Sequence, residues 1–193
     1  MTLVRAALCS IFFTTGMLNA GLLHASDSAV SDQCRIGDWD MQAEQHLFQT
    51  APRSVGAARQ VSDPRAELAP GQLWAVTLLG ETEVRLVAAV HRRPLPRVSF
   101  AGLAAVTVPM TGRYRITIDG PAWIEIVHDD HALPTTRFGS QRACPLFRKS
   151  VEFELAAGLS HVLQFSHAAS AVLRVTIVPS GGSDAVRRAS QAH

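Results

Sequence analysis

Cysteine, lysine and tyrosine are scarce in this chain, and familiar catalytic signatures are missing. Its 193 residues hold three cysteines, one tyrosine and one lysine, Lys149, against seventeen arginines. Neither Cys34 nor Cys144 has a second cysteine close by in sequence, so no chelating thiol pair is available for zinc. No Gly-x-Ser-x-Gly elbow occurs, which excludes the nucleophile turn of an α/β-hydrolase. Concentrated positive charge is lacking too. The 18 Lys and Arg are scattered among 16 Asp and Glu, and the terminal pair Arg187 and Arg188 is too short a run to suggest DNA. A nucleic-acid partner is therefore not expected. The arginine bias reads as genomic base composition and carries no functional meaning of its own.

What is present begins with an export signal. Arg5 precedes an apolar run over residues 6–23, which ends at small Ala25. A positive start, an apolar centre and a small-residue exit describe a secretory signal peptide over 1–25. A run of about 18 residues nearly spans a bilayer. Thr14, Thr15, Gly16, Asn19 and Gly21 interrupt it, however, and no positive cluster follows. No stable membrane anchor is expected after cleavage near Ala25, and the mature chain is expected in the periplasm or outside the cell. Cleavage removes Cys9. Cys34 and Cys144, 110 residues apart, then form one disulfide in an oxidising compartment. The remaining 168 residues suffice for one domain with a real core.

Periodicity then sets the fold class. Residues 39–51 carry Trp39, Ala43, His46 and Leu47 on one face, a short helix with Asp38 as cap and Pro52 as stop. Residues 53–70, with Pro64 and Pro70, read as a loop. From residue 72 the period becomes two. Alternating strands are expected near 73–79, 84–90, 104–108, 113–119, 122–127, 151–155, 161–165 and 171–178, each closed by Gly or Pro or by polar residues. About eight short strands and no long helix predict an all-β, antiparallel, jelly-roll-like β-sandwich. The organisation is a signal peptide (1–25), a helix and strap tied on by the disulfide (26–70), the sandwich (71–179) and a Gly/Ser-rich tail (180–193).

Two blocks carry a resemblance: Gly-Arg-Tyr-Arg-Ile-Thr-Ile-Asp over 112–119, and Val-Glu-Phe-Glu-Leu-Ala-Ala-Gly over 151–158, followed by the strands to residue 178. Together, over about residues 100–178, they resemble bacterial pre-peptidase C-terminal domains, small sandwiches of exported proteins. The chain departs from that pattern, with no peptidase ahead of the sandwich and no tyrosine in the phrase after Gly158. The resemblance implies an accessory, non-catalytic role in binding.

Candidate sites are few. His128, Asp129, Asp130 and His131 follow an expected strand, and imidazole with carboxylate suits a divalent metal. The plainer reading is a polar turn, since Asp-Asp is a turn former and neighbouring side chains of an extended chain diverge. Glu152 and Glu154 share one face of a strand, as do the carboxylates a glycosidase would need, but that face reads as the solvated side. Trp123 alternates against Ile124 and Ile126 and shares a face with Glu125 and Val127. It reads as core if both faces are covered. If only the isoleucine face is buried, it is a platform for a sugar ring or a partner. The leading expectation is a non-catalytic exported protein that binds a glycan or a partner protein, with Trp123, Glu125 and Asp130 as contacts and no cofactor. The alternative is a periplasmic metal-binding protein using His128, Asp129 and His131.

Overall fold

A computed structural model describes residues 33–88 and 98–181. The expected signal peptide and the tail from residue 182 lie outside the described residues. In chain order the elements are α1 (Gln42–Phe48), β1 (Arg53–Gly56), β2 (Leu73–Thr77), β3 (Leu79–Gly80), a 3-10 turn (Glu81–Glu83) and β4 (Phe100–Thr107). Then come β5 (Gly112–Ile118), β6 (Trp123–His128), β7 (His131–Ala132), β8 (Thr135–Ser140), β9 (Lys149–Leu155), β10 (Ser160–Ala168) and β11 (Val172–Pro179).

The strands form two sheets, ordered β1-β2-β11-β5-β9-β8 and β3-β4-β10-β6-β7. The ladders are antiparallel except for β1 on β2. The expected all-β sandwich is present. Between the sheets lies the main core, where Trp74, Ile116, Ile126, Phe153, Phe165 and Ile177 meet from both sides. The alternation of Tyr114, Ile116 and Ile118 puts all three inward, and Phe153 and Val151 stand opposite Tyr114 and Ile116 across the ladder. Each such side chain fully buried stabilises by about 1.5–3 kcal/mol.

Several boundaries differ from the sequence reading. The helix is shorter than 39–51, and its first turn is met by Asp40, whose carboxylate accepts the Gln42 amide at 3.1 Å. Asp38 instead pairs with Arg137 at 2.5 Å. Residues 53–70 are not simply a loop, since β1 extends the first sheet and Ala58 and Glu67 bridge to Leu103 and Ala105 of β4. Residues 84–88 are not a strand. The Val84 and Arg85 amides donate to the Glu81 and Arg59 carbonyls, and Val87 and Ala88 both donate to Gln164 Oε1 at 2.8 and 3.2 Å.

The N-terminal strap covers the outer face of the first sheet and builds a second core there. Cys34, Ile36, Trp39, Met41 and Phe48 pack with Leu73 and Phe147. The Cys34–Cys144 disulfide closes it, with Cα atoms 4.5 Å apart. The polar face of β5 and β9 is thus buried rather than solvated. Arg115 is 6% exposed and its Nε donates to Glu44 Oε1 at 2.5 Å, while a second nitrogen donates to the Asp40 carbonyl at 2.6 Å. Thr117 and Ser150 exchange a hydroxyl hydrogen bond at 2.7 Å. Glu152 is buried too, accepting from Thr136 Oγ1 at 3.0 Å with Arg113 at 3.7 Å, whereas Glu154 is exposed. The two glutamates therefore do not form a solvated pair.

Candidate functional site

The two sheets do not close evenly. At one margin the first sheet ends in β8, an edge strand exposed along nearly all its length, opposite β6 and the two-residue β7 of the second sheet. In the ladder Phe138 stands opposite Val151 and so shares its core-facing side. With too little of the other sheet above it, Phe138 is 78% exposed. Beside it opens a groove of about 700 Å³, lined among others by Trp123, Ile124, Glu125, Phe138, Val151, Arg142, Arg148 and Lys149.

Trp123 is half-buried, between the two expectations for it. Ile124 and Ile126 take the core face, as the alternation requires. The indole borders the groove, and Lys149 Nζ sits 4.7 Å from its ring centroid. Lys149 starts β9 on the core-facing side and reaches across the margin, where its ammonium donates to the Ala122 carbonyl at 2.9 Å. Burial lowers the lysine pKa, and the nearby Glu125 charge opposes that shift in part.

Glu125 is set by β10, since its carboxylate accepts a hydrogen bond from Gln164 Nε2. Gln164 is fully buried and also holds Val87 and Ala88, so one amide ties the groove acid to segment 84–88. The groove is completed near His167, a residue at φ 50 where β10 bulges, whose Nδ1 lies 3.0 Å from Glu81 Oε1.

Of the expected ligand contacts, Trp123 and Glu125 come together and Asp130 does not join them. Asp130 borders a separate hollow of about 380 Å³ with Gln60, Arg85 and Val87. Asp129 and Asp130 are the two turn residues between β6 and β7, at φ 48 and 61, the type I′ geometry of a tight hairpin. His131 Nδ1 contacts the Asp129 carbonyl at 2.5 Å. His128 turns toward buried His161, ring centroids 4.9 Å apart. His161 is 2% exposed, and burial, with the charge of His128, lowers its pKa. Among the described residues no group of three or more His, Cys, Asp or Glu is placed to hold one metal ion.

Sequence reasoning missed Phe138, Arg142, Arg148 and Lys149. The lone lysine of an arginine-rich chain was the visible signal for Lys149. For Phe138 it was the β-prone run Thr135, Thr136, Arg137, Phe138.

No family model matches the chain, and no curated protein matches it. Among solved structures, a β-glucosidase from Kluyveromyces marxianus in complex with glucose aligns at 12% identity and a TM-score of 0.31. The alignment covers 49% of this chain and 12% of that one, and a likeness so slight carries no argument about function.

Proposed function

We propose that this is an exported, non-catalytic β-sandwich protein that binds a glycan or a partner protein through the groove at its open margin. The observation that carries the reading is the pairing of half-buried Trp123 with exposed Phe138 along one cavity of about 700 Å³. Ligand sites combine such apolar surface with a few placed polar groups. An exposed Phe serves no packing purpose at that position. Binding rather than glycosidic hydrolysis is supported by the acid inventory. Among the described residues Glu125 is the one carboxylate lining the groove, whereas hydrolysis ordinarily uses two.

The strand order supports jelly-roll-like wiring, since the chain changes sheets from β2 to β3, β4 to β5, β5 to β6, β7 to β8, β9 to β10 and β10 to β11. The likeness to pre-peptidase C-terminal domains rests on the two sequence blocks and belongs to the same proposal. Export rests on the sequence of residues 1–25, and the disulfide is compatible with it. Among the described residues no helix is long and apolar enough to cross a membrane. The metal-binding alternative has less behind it, because of the four loop residues His128 alone lies against a further ligand-type side chain outside the loop, His161.

The direct test is a binding screen with oligosaccharides and envelope proteins, comparing wild type with Phe138→Ala. Because Phe138 is 78% exposed, its loss should leave the melting temperature unchanged while weakening the ligand. A ligand bound equally by both proteins sits elsewhere and removes the groove from consideration.

A further inference from the structure

We infer that the groove takes an acidic oligosaccharide, its uronate carboxylate held by Arg142 and Arg148 and its ring faces seated on Trp123 and Phe138. This deepens the binding reading above and rests on it.

Charge complementarity is the first support. Three cations, Arg142, Arg148 and Lys149, line the groove against the single acid Glu125. That acid is already committed to Gln164 and faces Lys149. Most other described arginines have internal partners: Arg115 holds Glu44, Arg137 holds Asp38, Arg174 holds Asp119, Arg113 lies near Glu152, and Arg53 lies over Trp74. Arg142 and Arg148 have no acidic partner among the described residues. A guanidinium fork matches a carboxylate bidentately, so two unengaged forks beside one cavity suit an anion.

The second support is the pairing of those forks with aromatic surface. Sugar rings present C–H faces that pack on an indole or phenyl ring, while their hydroxyls stay hydrated at an open groove. An acidic peptide would use the site differently, adding a strand along the free edge of β8. That edge is guarded. A bulge breaks its register between Thr135 and Arg137, and the strap packs on it so closely that a Cβ at Gly139 would collide with Ile36.

The experiment is calorimetric titration of the oxidised full-length chain with tetragalacturonate, its fully methyl-esterified form, and a polyglutamate peptide of matched charge. The acid should bind, and the neutral ester at least about tenfold more weakly, since charge-assisted hydrogen bonds are lost. Arg142→Gln with Arg148→Gln should weaken the acid by a similar factor and erase the difference between acid and ester. Phe138→Ala should weaken both sugars, with an unchanged melting curve as the folding control. Equal binding of acid and ester would overturn the acidic class while leaving the glycan reading in place. Polyglutamate binding as tightly as the uronide would replace the sugar with an acidic peptide. No binding of either sugar would overturn both the inference and the glycan reading, and retention of uronide binding by both variants would move the site away from this groove.

Discussion

Glu44 sits with 0% exposure under the first sheet, reached by the Arg115 guanidinium, which is itself stacked 5.1 Å from the Trp39 ring centroid. Two buried charges are stable there only because each meets the other, with Arg115 also bound to the Asp40 carbonyl. Removing one partner strands the other. Glu44→Ala is therefore expected to cost about 3–5 kcal/mol, read from urea unfolding. Glu44→Leu combined with Arg115→Met should cost less than the single change, because no charge is left unpaired. A second residue-scale consequence concerns His161. Its pKa is lowered by burial and by His128, so the fold favours the neutral ring. The stability this supplies is present above the unfolded value of about 6.5 and falls as pH drops through it. Unfolding measured from pH 7.5 down to 5 should show that loss, and His161→Leu should flatten it. An identical pH profile in the variant would contradict the assignment.

At the scale of elements, the strands with one apolar face were legible and the others were not. β2, β4, β5, β6, β9, β10 and β11 each bury alternate residues between the sheets, so period two showed through. β8 is exposed at five of its six positions, and β1 is nearly as exposed, so neither carries a hydrophobic rhythm. Residues 84–88 carry the rhythm without the strand, because isolated carbonyls of Glu81 and Arg59 and the Gln164 side chain take their amides in place of a ladder. The polar face of β5 and β9 misled for another reason. Arg115, Thr117 and Glu152 look solvated in sequence, and only the strap, joined from residues 33–48, shows that they are covered. The groove was half legible: Trp123 and Glu125 were visible on one strand, but Phe138 and Lys149 reach it from the other sheet. The β6–β7 turn offers its own check. Asp129 and Asp130 both hold positive φ, so Asn-Gly at these positions should stabilise by about 0.5–1 kcal/mol with ligand binding retained. Destabilisation would show that the carboxylates do more than turn the chain.

For the whole molecule, the disulfide joins the strap to the sandwich across 110 residues. On the chain-entropy account a loop of that length stabilises by about 4–5 kcal/mol. Cys34→Ala with Cys144→Ala should lower the unfolding free energy by that order, checked by denaturant titration against the oxidised chain. Loss should fall first on the strap cluster around Trp39 and Phe48, since the inter-sheet core does not depend on it.

Ligand seated in the margin groove against Trp123, Phe138 and Lys149 would cover an amine that can be followed at one atom. Lys149 is the chain's single lysine, so an amine-reactive label read by mass spectrometry reports on that groove and otherwise on the chain terminus alone. Burial lowers its pKa, so at a given pH its reactive neutral amine is more available than that of an exposed lysine. Labelling of Lys149 should be suppressed by saturating tetragalacturonate and restored in the Phe138→Ala protein at the same sugar concentration. If the sugar binds while Lys149 labels at an unchanged rate, the groove is not the binding site.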